Sequence, residues 1–244
     1  MNILILDICG TSTDPKTAVM VEIGAVVYDI TNRAIVSAEA YLVHDPKIDE
    51  VNEEELALFN INKETIIKNG KPLEDIQVII QRWLKTAKQV ASYSSTTYDL
   101  PMIQRYTPDY KHTDNIWINL SSDLPFDKTY QFRHLVYLCA KQGFLNPFGY
   151  RALPNALSIL RVANTVLDEA NMTWSEFIKH ANSEEVLVIA GVTYETRQLA
   201  KDNGFTWDAK HQVWLRRVKL YQLELGTLKF PFRTTIIPIQ VDNE

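Results

Sequence analysis

Three early runs of the chain are dominated by apolar positions. Residues 2–8 (NILILDI) are rich in Ile and Leu and predict a buried strand. Residues 20–28 (MVEIGAVVY) predict a second strand, and residues 34–43 (AIVSAEAYLV) alternate well enough to predict a third, with 29–33 as the hairpin turn. The period then lengthens. Residues 49–59 pass from an acidic run to apolar positions at helical spacing, Leu56 and Phe59. Residues 73–87 place Ile76, Ile79, Ile80, Trp83 and Leu84 on one helical face. A short strand follows at 89–93, then a helix at 99–106 whose first turn tolerates Pro101. Helices are expected at 132–142 and at 156–170, the second through Leu157, Leu160, Ala163 and Leu167. Hairpin strands followed by interleaved helices and strands predict an α/β layer fold.

Beyond about residue 172 the pattern changes. Residues 173–185 read as a linker or helix. Residues 186–192 read as a strand, 194–203 as a helix closed by Gly204, then 205–208 as a turn and 212–215 as a strand. Residues 186–218 are thus a small β–α–β module, and the Pro-containing stretch 219–244 reads as an irregular tail. Charge supports the division. Residues 1–185 hold 17 Lys+Arg against 24 Asp+Glu, a net of −7, whereas residues 186–244 hold 8 against 6, a net of +2.

Composition narrows the class. At 46% hydrophobic and 23% charged, the 244 residues are those of an ordinary globular protein, not a fibrous or disordered one. Cys9 and Cys139 are too few for a disulfide framework, and no CxxC pair points to zinc. The start lacks a basic segment and Asp7 interrupts its apolar run, so it reads as a strand rather than a signal peptide. No run approaches the roughly 18 apolar residues of a membrane helix. The expectation is a cytoplasmic protein without membrane contact.

Candidate chemistry begins with carboxylates at strand ends. Asp7 ends the first strand before the small-residue loop CGTSTDP, and the next strand carries Glu22. In ASYSSTTYDLP a strand runs through a polar turn into Asp99, which by itself reads equally well as a helix N-cap.

The order of these segments carries a resemblance. Residues 3–27 (ILILDICGTSTDPKTAVMVEIGAVV) resemble the first motif of the DnaQ-like 3′–5′ exonucleases, an Asp-x-Glu followed by a polar loop and an Ile-Glu-Ile-Gly-Ala strand. Residues 58–76 are similar to that family's helical second segment. Residues 90–103, with Tyr98-Asp99-Leu100-Pro101, look like its second acidic motif. Residues 149–156 (GYRALPNA) resemble its His-x4-Asp motif, which opens the last helix. The resemblance covers roughly residues 1–172 and implies a ribonuclease H-like mixed sheet flanked by helices. It also implies two-metal phosphodiester hydrolysis, in which four carboxylates hold two Mg²⁺ or Mn²⁺ ions about 3.5–4 Å apart.

The departures from that pattern bear on activity. Asp7 and Asp99 keep the first-motif and second-motif Asp positions, the expected metal ligands for at most one weakly held ion. Cys9 stands in place of the Glu, Asn155 in place of the last Asp, and Tyr150 in place of the His. A thiol is soft and neutral near pH 7, and an amide has lost its charge, so both are poor ligands for hard cations. Tyr150 remains a candidate for positioning water, although a related subgroup places its Tyr one residue closer to the Asp. Asp14, Glu22, Asp114 and Asp123 are the available substitutes. The expected function is an exonuclease-superfamily protein with a degenerate centre that binds a nucleic-acid end or a protein partner. The alternatives are an active Mg²⁺- or Mn²⁺-dependent 3′–5′ exonuclease on single-stranded DNA or RNA, and a protein-only inhibitor or adaptor.

The C-terminal module looks like a small accessory unit of phage and plasmid proteins that handle nucleic acid. Trp207 and Trp214 with Arg197, Lys201, Lys210, Arg216 and Arg217 combine aromatic faces with positive charge, which suits single-stranded nucleic acid. Packing offers another use for the two Trp, as the small core that such a module requires.

Overall fold

Alternation along the first strand divides its contacts between two cores. In the computed structural model, which describes residues 1–127, 129–224, 226 and 228–239, β1 (Asn2–Gly10) is a central strand. Its even residues Leu4, Leu6 and Ile8 pack with Ile76, Ile80, Trp83, Met102 and Ile103. Its odd residue Cys9 packs on the opposite face with Val21, Ile48, Leu56, Phe59, Ile66 and Ala152. Each Leu or Ile fully withdrawn from water contributes on the order of 2 kcal/mol, which is why the register is strongly specified.

The chain divides into two units, Met1–Phe177 and Ile178–Glu244. The first holds the strands β1, β2 (Met20–Asp29), β3 (Ala34–His44), β4 (Lys71–Pro72), β5 (Gln89–Ser92) and β6 (Ile116–Asn119) in the order β4-β3-β2-β1-β5-β6. β1, β2 and β3 are antiparallel neighbours, whereas β5 and β6 run parallel to β1. Its helices are α1 (Glu53–Ala57), α2 (Lys63–Asn69), α3 (Leu73–Thr86), α4 (Leu100–Tyr106), α5 (Leu120–Asp123), α6 (Leu135–Lys141) and α7 (Ala152–Glu169). α8 (Trp174–Ala181) spans the division between the units. This is the expected mixed sheet flanked by helices.

The second unit holds β7 (Glu185–Gly191), α9 (Arg197–Asp202), β8 (Thr206–Asp208), β9 (Val213–Lys219), α10 (Leu220–Glu224) and β10 (Arg233–Pro238). Its sheet has the order β10-β7-β9-β8 and every pairing is antiparallel. Its core joins Val186, Val188, Ala190, Ala200, Phe205 and Val218, with Phe230 and Phe232 packed against it.

Several elements differ from the sequence reading. β1 reaches Gly10, so Cys9 lies within the strand rather than in the loop after it. β6 was not expected: at four residues it is too short to show a period. The helix read at 132–142 begins at Leu135, and that read at 194–203 begins at Arg197, after a turn closed by the Thr193 N–H bonding to Thr196 Oγ1 at 2.9 Å. The turn read at 205–208 is strand β8. The stretch read as an irregular tail contains α10 and β10, because the β-branched run from Thr234 to Ile237 pairs with β7. Pro238 ends that edge strand, where no ladder donor is needed. Residues 225, 227 and 240–244 of the stretch lie outside the described residues. Among the described residues no helix is long and apolar enough to cross a membrane.

Candidate functional site

The carboxyl ends of the parallel strands β1 and β5 converge on one acidic centre, the region where open α/β sheets place their ligand sites. On β1, Asp7 and Cys9 share a face because they are two residues apart. Their cross-strand partners on β2 are Gly24 and Glu22. Gly24 has a specific task here. A Cβ at that position would lie 2.5 Å from Leu153 N and 2.7 Å from the Ala152 carbonyl carbon. Only glycine lets the first turn of α7 settle on β2, and that approach delivers Asn155 to the centre.

Asp99 arrives from the other side, through a single π turn over Ser95–Asp99 that leads into α4. It is 3% exposed and makes no capping hydrogen bond, so the N-cap alternative fails. Its carboxylate instead accepts from Ser92 Oγ at 2.7 Å, at the end of β5. The carboxyls of Asp7 and Asp99 are close enough to perturb each other. Burial, the Asp99 charge and the Glu22 charge, in that order, push the Asp7 carboxyl well above the usual carboxylate range. Burial pushes Asp99 up to about 6, against opposing hydrogen bonds of which the Ser92 bond is the first.

Cys9 and Asn155 are both engaged in internal bonds. Cys9 is buried, and its thiol donates to the Tyr150 carbonyl oxygen at 3.1 Å. Burial and then the Asp7 charge raise that thiol far above its ordinary value, so it stays protonated at neutral pH. The Asn155 Nδ2 donates to Asp7 Oδ2 at 3.1 Å. Its Oδ1, the atom that would face a cation, accepts from Asn146 Nδ2 at 2.8 Å. Tyr150 sits at φ +65° with its side chain 59% exposed, and it is the main-chain carbonyl that reaches Cys9.

The substitute carboxylates are engaged elsewhere. Glu22 is 4% exposed and accepts from Arg151 Nε at 2.8 Å, Arg151 Nη2 at 3.0 Å and the Ala152 N–H at 2.9 Å. It therefore caps α7 from the neighbouring sheet and neutralises its own charge on Arg151. Asp14 accepts from the Lys16 N–H and Thr17 Oγ1 within its own loop. Asp114 pairs with Lys111 at 3.4 Å, and Asp123 accepts from the Asn119 N–H at 3.1 Å. Among the described residues no group of three or more His, Cys, Asp or Glu is arranged to hold a metal ion. A thiol that donates and an amide that donates, beside two carboxyls, do not fit a pair of hard divalent cations.

The second unit places the module residues unequally. Trp207 on β8 and Trp214 on β9 are a directly opposed cross-strand pair, with ring centroids 5.7 Å apart and planes inclined at 57°. Trp207 is 51% exposed, whereas Trp214 is half-buried and packs against the module core. The Arg197 guanidinium lies over the Tyr194 ring, 3.5 Å from its centroid, and donates to the Tyr194 carbonyl. Lys201 and Lys210 are exposed. Arg216 is half-buried, donates to the Asn203 carbonyl at 2.7 Å and ties β9 to the end of α9. Arg217 is exposed and pairs with Glu185 at 3.4 Å. Consecutive strand residues face opposite sides of a sheet, so Arg216 and Arg217 do not share one surface.

Residues missing from the sequence reading are Arg151, Asn146 and Tyr194. Glu22 in an otherwise apolar strand signalled a buried partner for its charge. Nothing in the sequence marked Asn146.

Comparisons with known proteins agree with this geometry at the level of fold. Residues 186–234 match a sequence family described as a domain of unknown function (DUF8626). Curated proteins compared by sequence give no match. Among solved structures, the zinc-ion-bound form of the Escherichia coli exonuclease I–single-stranded DNA complex is similar, with a TM-score of 0.64 at 12% identity, covering 78% of this chain and 48% of that one. A full-length 3′-exonuclease aligns with a TM-score of 0.56 at 15% identity, covering 70% of this chain and 62% of that one. A 3′-exonuclease that recognises the 3′ end of a histone mRNA stem-loop aligns at 0.55 and 15%, covering 69% and 82%. This chain thus spans about half the length of the exonuclease I chains it matches. These likenesses establish the fold: a ribonuclease H-like mixed sheet of the exonuclease type.

Proposed function

We propose that this chain is an exonuclease-superfamily protein whose two-metal centre has been lost, and that it binds single-stranded nucleic acid at a strand end without efficient hydrolysis. One observation carries the reading: Asn155 turns its amide N–H into Asp7 while its oxygen is held by Asn146. A ligand position that donates a hydrogen bond to its neighbour closes the site against a cation. Two carboxyls and a protonated thiol then remain where four negative charges would balance two divalent ions. The solved exonucleases of this fold include complexes with single-stranded DNA, which supports nucleic acid as the partner over a protein. No Mg²⁺ or Mn²⁺ is required by this reading.

The test pairs binding with cleavage. Anisotropy of 5′-labelled single-stranded DNA and RNA, read over a series of salt concentrations, should show salt-dependent binding. The same strands incubated with Mn²⁺ should stay full length. Shortening from the 3′ end at ordinary enzyme rates, abolished by Asp7→Asn, would establish the active-exonuclease reading instead. Failure to bind either strand would favour the inhibitor or adaptor.

A further inference from the structure

The second unit carries a cleft of about 500 Å³ lined by Val192, Thr193, Tyr194, Arg197, Trp207, Gln212 and Trp214. This volume lies within the range of small-molecule pockets, about 300–1,000 Å³. One wall is the segment leading into α9, the other the β8–β9 hairpin. We propose that this cleft takes one nucleobase of a single-stranded nucleic acid, stacked against Trp207 and Tyr194, with the adjoining phosphates on Arg197 and Lys201. The proposal deepens the nucleic-acid-binding reading above and rests on it.

These aromatic rings are not spent on the module core. That core closes with Val186, Val188, Ala190, Ala200, Phe205 and Val218, and three Phe rings complete it: Phe205 lies 4.9 Å from Phe230 and 5.4 Å from Phe232. Trp207 lies outside it at 51% exposure, and Tyr194 is 75% exposed. Large aromatic surface held in a concave site without a packing role is a binding feature.

The rings are also preorganised. Trp207 is held on a strand by its pairing with Trp214. The turn of that hairpin is fixed by Asp208, whose carboxylate accepts from the Lys210 N–H at 2.8 Å and from His211 Nδ1 at 2.7 Å. The opposing wall is fixed by the Thr193–Thr196 bond and by Arg197 stacked on Tyr194. A ligand therefore meets rings that have already lost their freedom.

Charge selects the occupant. Residues 186–218 carry five Lys+Arg against three Asp+Glu. Arg197 and Lys201 are four residues apart and share a helix face, and Lys210 stands two residues before Gln212 on the hairpin. A cation in the lining of an aromatic slot, with two lysines close to it in sequence, fits a polyanion whose flat groups are free to unstack, and single strands meet that description where duplexes do not. Gln212, at φ +55°, offers an amide that donates to and accepts from a base edge. Arg216 and Arg217 take no part, since one is tied to Asn203 and the other pairs with Glu185.

The test is anisotropy of labelled oligo(dT) and oligo(rU) against the full chain, with a mononucleotide and a blunt duplex as further ligands. Trp207→Ala and Tyr194→Ala should each weaken single-strand binding roughly 5- to 150-fold, the range for removing one stacked base, without changing the salt slope. Trp207→Phe should recover most of that affinity, which separates stacking from misfolding. Arg197→Ala and Lys201→Ala should each lower the slope by up to about 0.7, and Arg217→Ala should leave it unchanged. The mononucleotide should compete weakly, and the duplex should bind less well than the single strands. If the wild type binds strands while Trp207→Ala and Tyr194→Ala bind equally well, the cleft proposal falls and the broader reading stands. If the wild type binds no strand, both fall.

Discussion

Asp99→Asn isolates the electrostatic state of the acidic centre. Asp99 is 3% exposed, and burial lifts its carboxyl from 3.8 to about 6. That rise corresponds to roughly 3 kcal/mol. The sign follows from proton linkage. Well below pH 3.8 the group is protonated in both states and contributes nothing. Between 3.8 and about 6 the unfolded chain releases its proton while the folded chain keeps it, so stability falls as pH rises, and the full loss is present at pH 7. Asparagine keeps an oxygen that can accept from Ser92 and carries no charge. Asp7, whose own rise owes partly to Asp99, is also relieved. The expected outcome is that Asp99→Asn is more stable than wild type by about 3 kcal/mol at pH 7, with the advantage shrinking towards zero near pH 4. Urea denaturation at a series of pH values, with hydrogen exchange in β1 and β5 as the probe of the first unit, measures this directly. A gap that does not change with pH, or a variant less stable at pH 7, would refute the reasoning.

The remaining predictions concern the same neighbourhood. Calorimetry with Mn²⁺ should show at most one weak site, and two tight sites would contradict the donor set. Restoring Cys9→Glu, Asn155→Asp and Tyr150→His together should raise metal-dependent nuclease activity by at least the 10²–10⁴ associated with a general base, read on labelled single strands. Arg151→Met should cost about 3 kcal/mol in urea denaturation, because Glu22 is left charged and buried with only the Ala152 N–H; the Arg side chain is 34% exposed, which keeps the loss at the low end for broken buried pairs. Gly24→Ala should destabilise the first unit by roughly 1–3 kcal/mol or more, since the added Cβ meets backbone rather than a flexible side chain.

Much of the fold was legible in the sequence for identifiable reasons. β1 to β3 and α3 carry clear periods, and their apolar faces are buried where those periods place them. β6 escaped because four residues show no period, and β10 because its pairing with β7 is a tertiary event far along the chain. At the acidic centre, the positions of Asp7, Cys9, Asp99 and Asn155 were readable from motif order, and the structure brings Asp7, Cys9 and Asn155 into contact. What those residues bond to was not readable. The Asn146–Asn155 bond and the reach of the Tyr150 carbonyl depend on a loop with no sequence period. Arg216 and Arg217, read from the sequence among the nucleic-acid contacts, are adjacent on β9 and so face opposite sides of the sheet, which a residue list alone does not separate.

The claim that this centre binds without cutting has one most direct measurement. Purified wild type and Asp7→Asn are incubated with 5′-labelled single-stranded DNA and RNA in Mn²⁺, and the strands are resolved by length over time beside a binding titration of the same samples. The account predicts salt-dependent binding by both proteins and no progressive loss of nucleotides from the 3′ end with either. Metal-dependent shortening by the wild type that Asp7→Asn abolishes would contradict it.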